Sequence, residues 1–196
     1  MIDETKLLEA RLPKAGDRLF IQSSWAFDSH ITPHPDERFY RLPMGYKRAG
    51  DILVEQAISN LTDRPNIIYA AIYCYRLAVE LHLKRLIHTL HNSKQSKLKA
   101  GHNLIKLWKT FFELLKAHNM SDVCNIQAVQ SLVIEMHIAD KNSDGFRYPA
   151  DHSDIPFNLC PTSIDLENLQ HAMLNLDDFF ENIYFGLSNQ LDKTTY

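Results

Sequence analysis

The stretch RPNIIYAAIYCYRLAVELHLKRLIHTLH, from Arg64 to His91, decides the fold. Its first half is apolar on nearly every side, which is typical of a helix buried among other helices. Its second half becomes amphipathic and basic. Asp63 and Pro65 are favourable residues for a helix start. A single helix of this length extends about 42 Å, which predicts the central helix of an all-α protein.

Helical periodicity also dominates the segments on either side of this stretch. One helix is predicted before it, from Tyr46 to Asn60. Three are predicted after it: one from an Asn103 cap, one from a Ser121 cap to Asp140, and one from a Thr162–Asp165 capping box to the C-terminus. No strand-like alternation of any length competes with these patterns. The sequence therefore predicts an all-α bundle of four or five long helices.

The N-terminal region has a different character. A short helix is predicted from Asp3 to about Arg11, and the chain then continues to Pro43 without clear periodicity but with many aromatic residues. Because this segment is too aromatic to be disordered, we expect an ordered, irregular arm. The predicted organisation is an N-terminal helix and arm packed on the core over residues 1–45, and a helical-bundle domain over residues 46–196.

Composition excludes several classes of protein. The chain has 196 residues, and its longest apolar run, Ile67 to Tyr75, is far shorter than the ~20 residues of a bilayer-spanning helix. The N-terminus lacks the pattern of a signal peptide. Cys74, Cys124 and Cys160 are too scattered for a disulfide framework or a metal knuckle. These features lead us to expect a cytoplasmic protein. No nucleotide-binding or metal-binding motif occurs, so we expect neither a cofactor nor a metal.

The net charge of −3 is unevenly distributed. Residues 1–100 carry 15 Lys and Arg against 11 Asp and Glu, whereas residues 101–196 carry 6 against 13. The stretch from Lys84 to Lys116 is the most basic, with eight cations and one acid. Such a patch can attract phosphates, since charge interactions are local at ordinary salt. The candidate RNA-contacting residues are Lys84, Lys94, Lys97, Lys99 and Lys106. Alternatively, this is a solvated helical hairpin, balanced by the acidic C-terminal third or by a second subunit.

A polar stripe interrupts the apolar central helix. Arg76, Glu80 and Lys84 are four residues apart and therefore lie on one side of the helix. The apolar neighbours of Glu80 indicate burial, and a buried carboxylate needs cations or several donors to stay ionised. Arg76 and Lys84 can supply them, as can Arg147 from a later loop. A structural ion-pair network explains the stripe equally well.

Arg147 and His152 occur within FRYPADHS, residues 146–153, in a segment predicted to be an exposed or cleft-lining loop. In metal-independent RNA cleavage, a histidine moves the proton of the 2′-hydroxyl while an arginine stabilises the charged phosphorane. Two other arginine–histidine pairs, Arg76–His82 and Arg85–His91, lie within the central helix and point about 120° apart. Only the loop pair is placed to converge on one phosphate.

Three motifs occur in order on this helical frame: YRLAVELHLKRLI from Tyr75 to Ile87, GHNLIKLW from Gly101 to Trp108, and FRYPADHS. Together they resemble the HEPN superfamily of helical domains, over roughly Pro65 to Leu187. The resemblance implies a homodimer whose active sites form where two R-x4-6-H motifs meet. Many HEPN domains are metal-independent endoribonucleases of toxin–antitoxin, abortive-infection and CRISPR-type defence. Others are inactive modules that bind RNA or a partner protein.

The same resemblance implies residue roles. Arg147 would bind the phosphate and the transition state, His152 would act as acid or base, and Glu80 would orient one of them. RNA, a second copy of the chain and an antitoxin or defence partner are the implied partners. Tyr148 and Pro149 depart from the family nucleases, which usually have a small polar residue after the arginine and then a helix start. The alternative is a non-catalytic RNA-binding or protein-interaction module in which Arg147 pairs structurally with Glu80.

Overall fold

The computed structural model describes residues 15–20, 29, 31–91, 101–120 and 123–193. These ranges contain five helices and no strand. The helices are α1 (Pro35–Ser59), α2 (Arg64–Leu90), α3 (Leu104–Ala117), α4 (Ile126–Ala139) and α5 (Leu166–Lys193). The predicted all-α bundle is therefore confirmed.

Helix α2 occupies the centre of the bundle, as its apolar sequence predicts. It packs against α1, α3 and α5. Fully buried side chains lie on several of its sides: Ala71, Tyr75, Ala78, Leu83, Leu86 and Ile87. Full burial of a large apolar side chain contributes about 1.5–3 kcal/mol. These positions therefore hold the neighbouring helices around α2.

Helix α1 begins at Pro35, and the prediction that it begins at Tyr46 is wrong. Pro35 lies in the first turn, where the missing N–H has no helical acceptor to lose. Pro43 lies inside the helix and removes one internal hydrogen bond. It is nevertheless buried, and α1 makes the most extensive helix–helix contact of the described chain, with α2. Tertiary packing thus outweighs the local cost of the proline.

The early start of α1 also bears on where the chain divides into compact units. The predicted boundary after residue 45 falls inside α1, and the compact unit that contains the bundle begins at His34. The preceding unit ends at Pro33. In that unit, Gly16 lies in a turn with a φ of 100°, which a residue without a Cβ adopts at no steric cost. The helix predicted from Asp3 to Arg11 lies outside the described residues.

Close packing between α1 and α2 depends on one glycine. A Cβ atom at Gly50 would lie 2.4 Å from a ring carbon of Tyr75. The Tyr75 hydroxyl donates a hydrogen bond of 2.9 Å to Asp51, which also pairs with Lys47. Burial, together with the Asp51 carboxylate, raises the pKa of Tyr75, so the phenol remains a donor at neutral pH.

The predicted starts of the later helices are partly confirmed. The side chain of Asn103 caps α3 by accepting a hydrogen bond of 2.9 Å from the backbone N–H of Lys106. Helix α4 begins at Ile126, after Asn125 with a positive φ of 64°. A residue in that conformation interrupts a helix, so α4 does not extend back to Ser121, which itself lies outside the described residues.

Helix α5 begins at Leu166, and Asp165 caps it in place of the predicted Thr162. The Asp165 carboxylate accepts a hydrogen bond of 3.0 Å from the backbone N–H of Asn168. A carboxylate also interacts favourably with the positive end of the helix dipole. The segment predicted to be a loop, Lys141 to Pro161, is confirmed to be non-helical, and the non-helical chain continues to Asp165.

Within the described part of the chain, no helix combines the length and the apolar character that a bilayer crossing requires. Cys74, Cys124 and Cys160 are all free thiols.

Candidate functional site

Glu80 lies at the centre of a buried polar network on α2. Its side chain is only 1% exposed. Its carboxylate accepts hydrogen bonds from the Arg76 guanidinium at 3.0 Å and from the Lys84 ammonium at 2.7 Å. The ring Nδ1 of His102 lies 2.9 Å from the same carboxylate. The two partners expected from the helical spacing are thus confirmed, and His102 is an additional one that sequence reasoning missed.

Arg76 connects this network to two other segments. Its side chain is fully buried, and its Nη2 donates to the carbonyl oxygen of His102, 2.7 Å away, in the turn before α3. Its Nε donates to the carbonyl oxygen of Asp140 at 2.9 Å, just after α4. A buried arginine with these partners ties three parts of the fold together, which is a structural role.

Asp140 carries the connection onward into the following loop. Its carboxylate oxygen Oδ1 accepts hydrogen bonds from the backbone N–H groups of Asp144 and Gly145, at 3.0 and 3.2 Å. The base of the loop that carries Arg147 is therefore fixed to the end of α4.

The charge state of Glu80 follows from its surroundings. Burial by itself raises the pKa of the carboxyl group, but Lys84, His102 and Arg76 together outweigh it and hold the pKa below its usual value. Glu80 is thus ionised at neutral pH. Among the described contacts of Glu80, none involves Arg147 or His152. The structure does not bring the three predicted catalytic residues together.

Arg147 has a different ion-pair partner from the one predicted. Its Nη2 donates to the Asp144 carboxylate, and its Nε donates to the carbonyl oxygen of Ser143, both at 2.6 Å. The predicted pairing of Arg147 with Glu80 is wrong. The turn after α4 instead brings the arginine against Asp144, which lies three residues earlier in the chain. The pair is partly open to solvent, with each side chain 33% exposed.

Aromatic rings surround Arg147. Its guanidinium carbon lies 5.4 Å from the ring centroid of Tyr73 and 5.1 Å from that of Tyr148, within the range of cation–π attraction. Beside it is a cavity of about 390 Å³, here called the Arg147 cavity. Its walls include Arg147 and four aromatic side chains: Tyr69, Phe146, Tyr148 and Phe157. A cation among exposed aromatic rings is an arrangement suited to binding a ligand.

His152 lies at the tip of a small hairpin in the same loop. An antiparallel bridge joins Ala150 and Pro156 at its base. Within the turn, the Asp151 carboxylate accepts hydrogen bonds from the backbone N–H groups of Ser153 and Ile155, at 2.8 and 3.0 Å. The His152 side chain is exposed and makes no hydrogen bond or ion pair with the residues that the structure describes.

Arg147 and His152 therefore share a loop but not a described contact. His152 is not among the residues that line the Arg147 cavity. The two residues therefore have neither a described contact nor a described cavity in common.

The predicted RNA-contacting lysines differ in their surroundings. Lys84 is 26% exposed and its ammonium is engaged by Glu80. Lys106 is exposed on α3. The others, Lys94, Lys97 and Lys99, lie outside the described residues.

A second buried polar cluster joins α2 to α5, and sequence reasoning missed it. His82 Nε2 lies 2.8 Å from the Asp177 carboxylate, and Arg85 forms a short ion pair with Glu181. Asp177 and Glu181 are four residues apart on α5, which was the available signal. The ring of His82 stacks on Phe180, with a centroid distance of 5.2 Å.

The ligand atoms of His82, Asp177 and Glu181 lie within 4.8 Å of one another, so these residues could hold a metal ion. However, Arg85 Nη2 contacts Glu181 and lies 3.2 Å from His82 Nδ1. The guanidinium already supplies the positive charge that the carboxylates need. We therefore interpret the cluster as an ion-pair network that fixes α5 on α2.

No protein-family model, curated protein or solved structure matches this chain.

Proposed function

We propose that this protein is a HEPN-like RNA-binding module without catalytic activity, in which a basic surface on α3 contacts phosphates. The observation that carries the proposal is the state of two cations, Lys106 and Lys109. Both are exposed and lie on the same side of α3, three residues apart, and neither forms an ion pair with a described residue. By contrast, Lys116 on the same helix pairs with Glu113 at 3.5 Å. Unpaired exposed cations are the groups that release counterions when they bind nucleic acid.

The arrangement of the other candidate residues supports binding over catalysis. Glu80 is committed to a buried network, and Arg147 is paired with Asp144. The predicted basic segment between α2 and α3 contains Lys94, Lys97 and Lys99 and precedes the exposed lysines of α3 in the chain. These lysines add positive charge close in sequence to Lys106 and Lys109, in a chain whose net charge is −3.

The experiment measures RNA affinity as a function of salt for a variant with both Lys106→Gln and Lys109→Gln. Each lost phosphate contact on a single strand lowers the slope of log K against log salt by about 0.7. We expect weaker binding and a flatter salt dependence. The matched control is Lys116→Gln, which removes a lysine already paired with Glu113. Unchanged affinity in the double variant, or an equal loss in the control, contradicts the proposal.

A second candidate function is metal-independent endoribonuclease activity of a toxin or phage-defence type. The observation that favours it is the exposed position of His152, whose ring has no described internal partner that would restrain it. In this mechanism the ribose 2′-hydroxyl attacks the adjacent phosphate and gives its proton to His152, while Arg147 stabilises the negative charge. A 2′,3′-cyclic phosphate forms as the bond from phosphorus to the 5′-oxygen breaks, and the departing 5′-oxygen takes a proton from water. No described contact joins Arg147 and His152 within one chain, and the HEPN resemblance places such a site between the loops of a homodimer.

Cleavage of RNA in the presence of a chelator tests this second candidate. We expect His152→Ala and Arg147→Ala each to abolish cleavage while the helical content and the dimer are retained. His171→Ala is the matched control, since His171 is also exposed but lies on α5. Full activity of the His152 variant rules out this mechanism.

We further propose that the protein is a homodimer that acts in the cytoplasm, with an antitoxin or defence protein as its partner. This assembly rests on the HEPN-like motifs. Light scattering of the purified chain tests it, with a dimer mass expected. A monomer at all concentrations removes the shared active site on which the nuclease mechanism depends.

A further inference from the structure

We propose that the Arg147 cavity is a binding subsite for one unstacked base of single-stranded RNA. This inference rests on the proposed RNA binding and adds a second contact region to it. The basic surface of α3 would hold phosphates without regard to sequence, whereas the Arg147 cavity would hold a base.

The lining of the cavity fits a planar aromatic ligand. Tyr69 and Tyr148 both line it and are 50% and 54% exposed, so their rings are accessible from solvent. Phe146 extends the aromatic surface, since its ring centroid lies 6.5 Å from that of Tyr69. Bases of single strands stack on exposed aromatic rings of this kind, largely without regard to their sequence.

The charges around the cavity select among possible ligands. The Arg147 guanidinium already lies over the rings of Tyr73 and Tyr148, so a second cation would be repelled. The Asp144 carboxylate, which pairs with Arg147, disfavours a phosphate beside the guanidinium. A neutral planar ring avoids both penalties, and a base meets that requirement.

The Nη1 group of Arg147 remains for a polar contact with the base. The described hydrogen bonds of Arg147 use Nε and Nη2, so Nη1 makes none with the part of the chain that the structure describes. Arginine commonly donates to the O6 and N7 acceptors of guanine. The bases of a duplex are already stacked on each other, so only an unpaired base can enter the cavity.

The test compares three RNA probes: a short single strand, the same strand with its bases removed at alternate positions, and a duplex. The variant carries Tyr69→Leu and Tyr148→Leu, which keep an apolar side chain but remove both rings. Tyr148→Phe retains a ring, and Phe185→Leu removes an exposed ring elsewhere, on α5. Circular dichroism and thermal melting confirm that each variant is folded.

We expect the double variant to lose roughly tenfold to hundredfold in affinity for the intact single strand. Its affinity for the duplex and for the strand with missing bases should stay unchanged, and both control variants should bind like the original protein. An equal loss for all three probes, or no loss at all, overturns the inference. If the duplex binds through Lys106 and Lys109 but the variant with Tyr69→Leu and Tyr148→Leu binds single strands normally, the base subsite is ruled out while the proposed function stands. If no RNA binds, both fall.

Discussion

Two of the arginine–carboxylate pairs in the fold are chemically alike but differ in burial. Arg76 and Glu80 on α2 have side chains that are 0% and 1% exposed, whereas Arg147 and Asp144 in the loop are each 33% exposed. A buried pair cannot exchange its partner without leaving a charge in a medium of low polarity. A partly exposed pair exchanges its partner at small cost, because water compensates. The comparison therefore separates a structural arginine from one that a ligand can engage.

The largest expected effect comes from breaking the buried pair. Glu80→Ala removes the nearer of two carboxylates from the buried Arg76 and leaves only that of Asp140, at 3.6 Å. The loss of one partner of a buried pair costs about 3–5 kcal/mol. Urea denaturation measures this change, with Glu113→Ala as an exposed control. A loss below about 1 kcal/mol in the Glu80 variant would show that water or another group compensates.

The next effect is the dependence of stability on pH. Because the folded pKa of Glu80 is lowered, its contribution to stability is present above the unfolded pKa of about 4.3 and is lost as the pH falls through the folded pKa. We expect stability to decline in acid, and Glu80→Gln to remove part of that decline. Denaturation midpoints measured from neutral to acid pH check this. A Gln variant with the same pH profile as the original protein contradicts it.

The smallest effect on stability is expected at the exposed pair. Asp144→Ala should cost no more than about 1 kcal/mol. It should also strengthen RNA binding, because it removes a negative charge and leaves the Arg147 guanidinium available. RNA affinity and urea denaturation are both measured on this one variant, and we expect the affinity to rise while the stability falls slightly. A large loss of stability would place Arg147 with Arg76 as a structural residue.

The apolar periodicity of α2 and the Asn103 cap of α3 were sufficient to predict the core of the fold. The start of α1 was not predictable in the same way. A proline usually ends a helix, but at Pro43 burial and the packing of α1 on α2 compensate for the lost hydrogen bond. Such packing depends on residues distant in sequence, and a local pattern does not contain it.

The candidate site shows the same limit. Arg76 and Lys84 were found as partners of Glu80 because helical spacing fixes which side chains meet. His102 comes from another segment and was not found. The pairing of Arg147 with Asp144 was missed because a turn, whose geometry periodicity does not describe, brings the two together.

Asp140 joins the two regions of this comparison, since its carbonyl oxygen receives Arg76 and its carboxylate receives the backbone of the loop at Asp144 and Gly145. The loop is thus anchored at its base and open at its tip. In terms of amide hydrogen exchange, the two amides bound by Asp140 should open only when the core opens, while that of His152 exchanges freely. The tip can therefore change shape around a ligand without any cost to the global unfolding equilibrium.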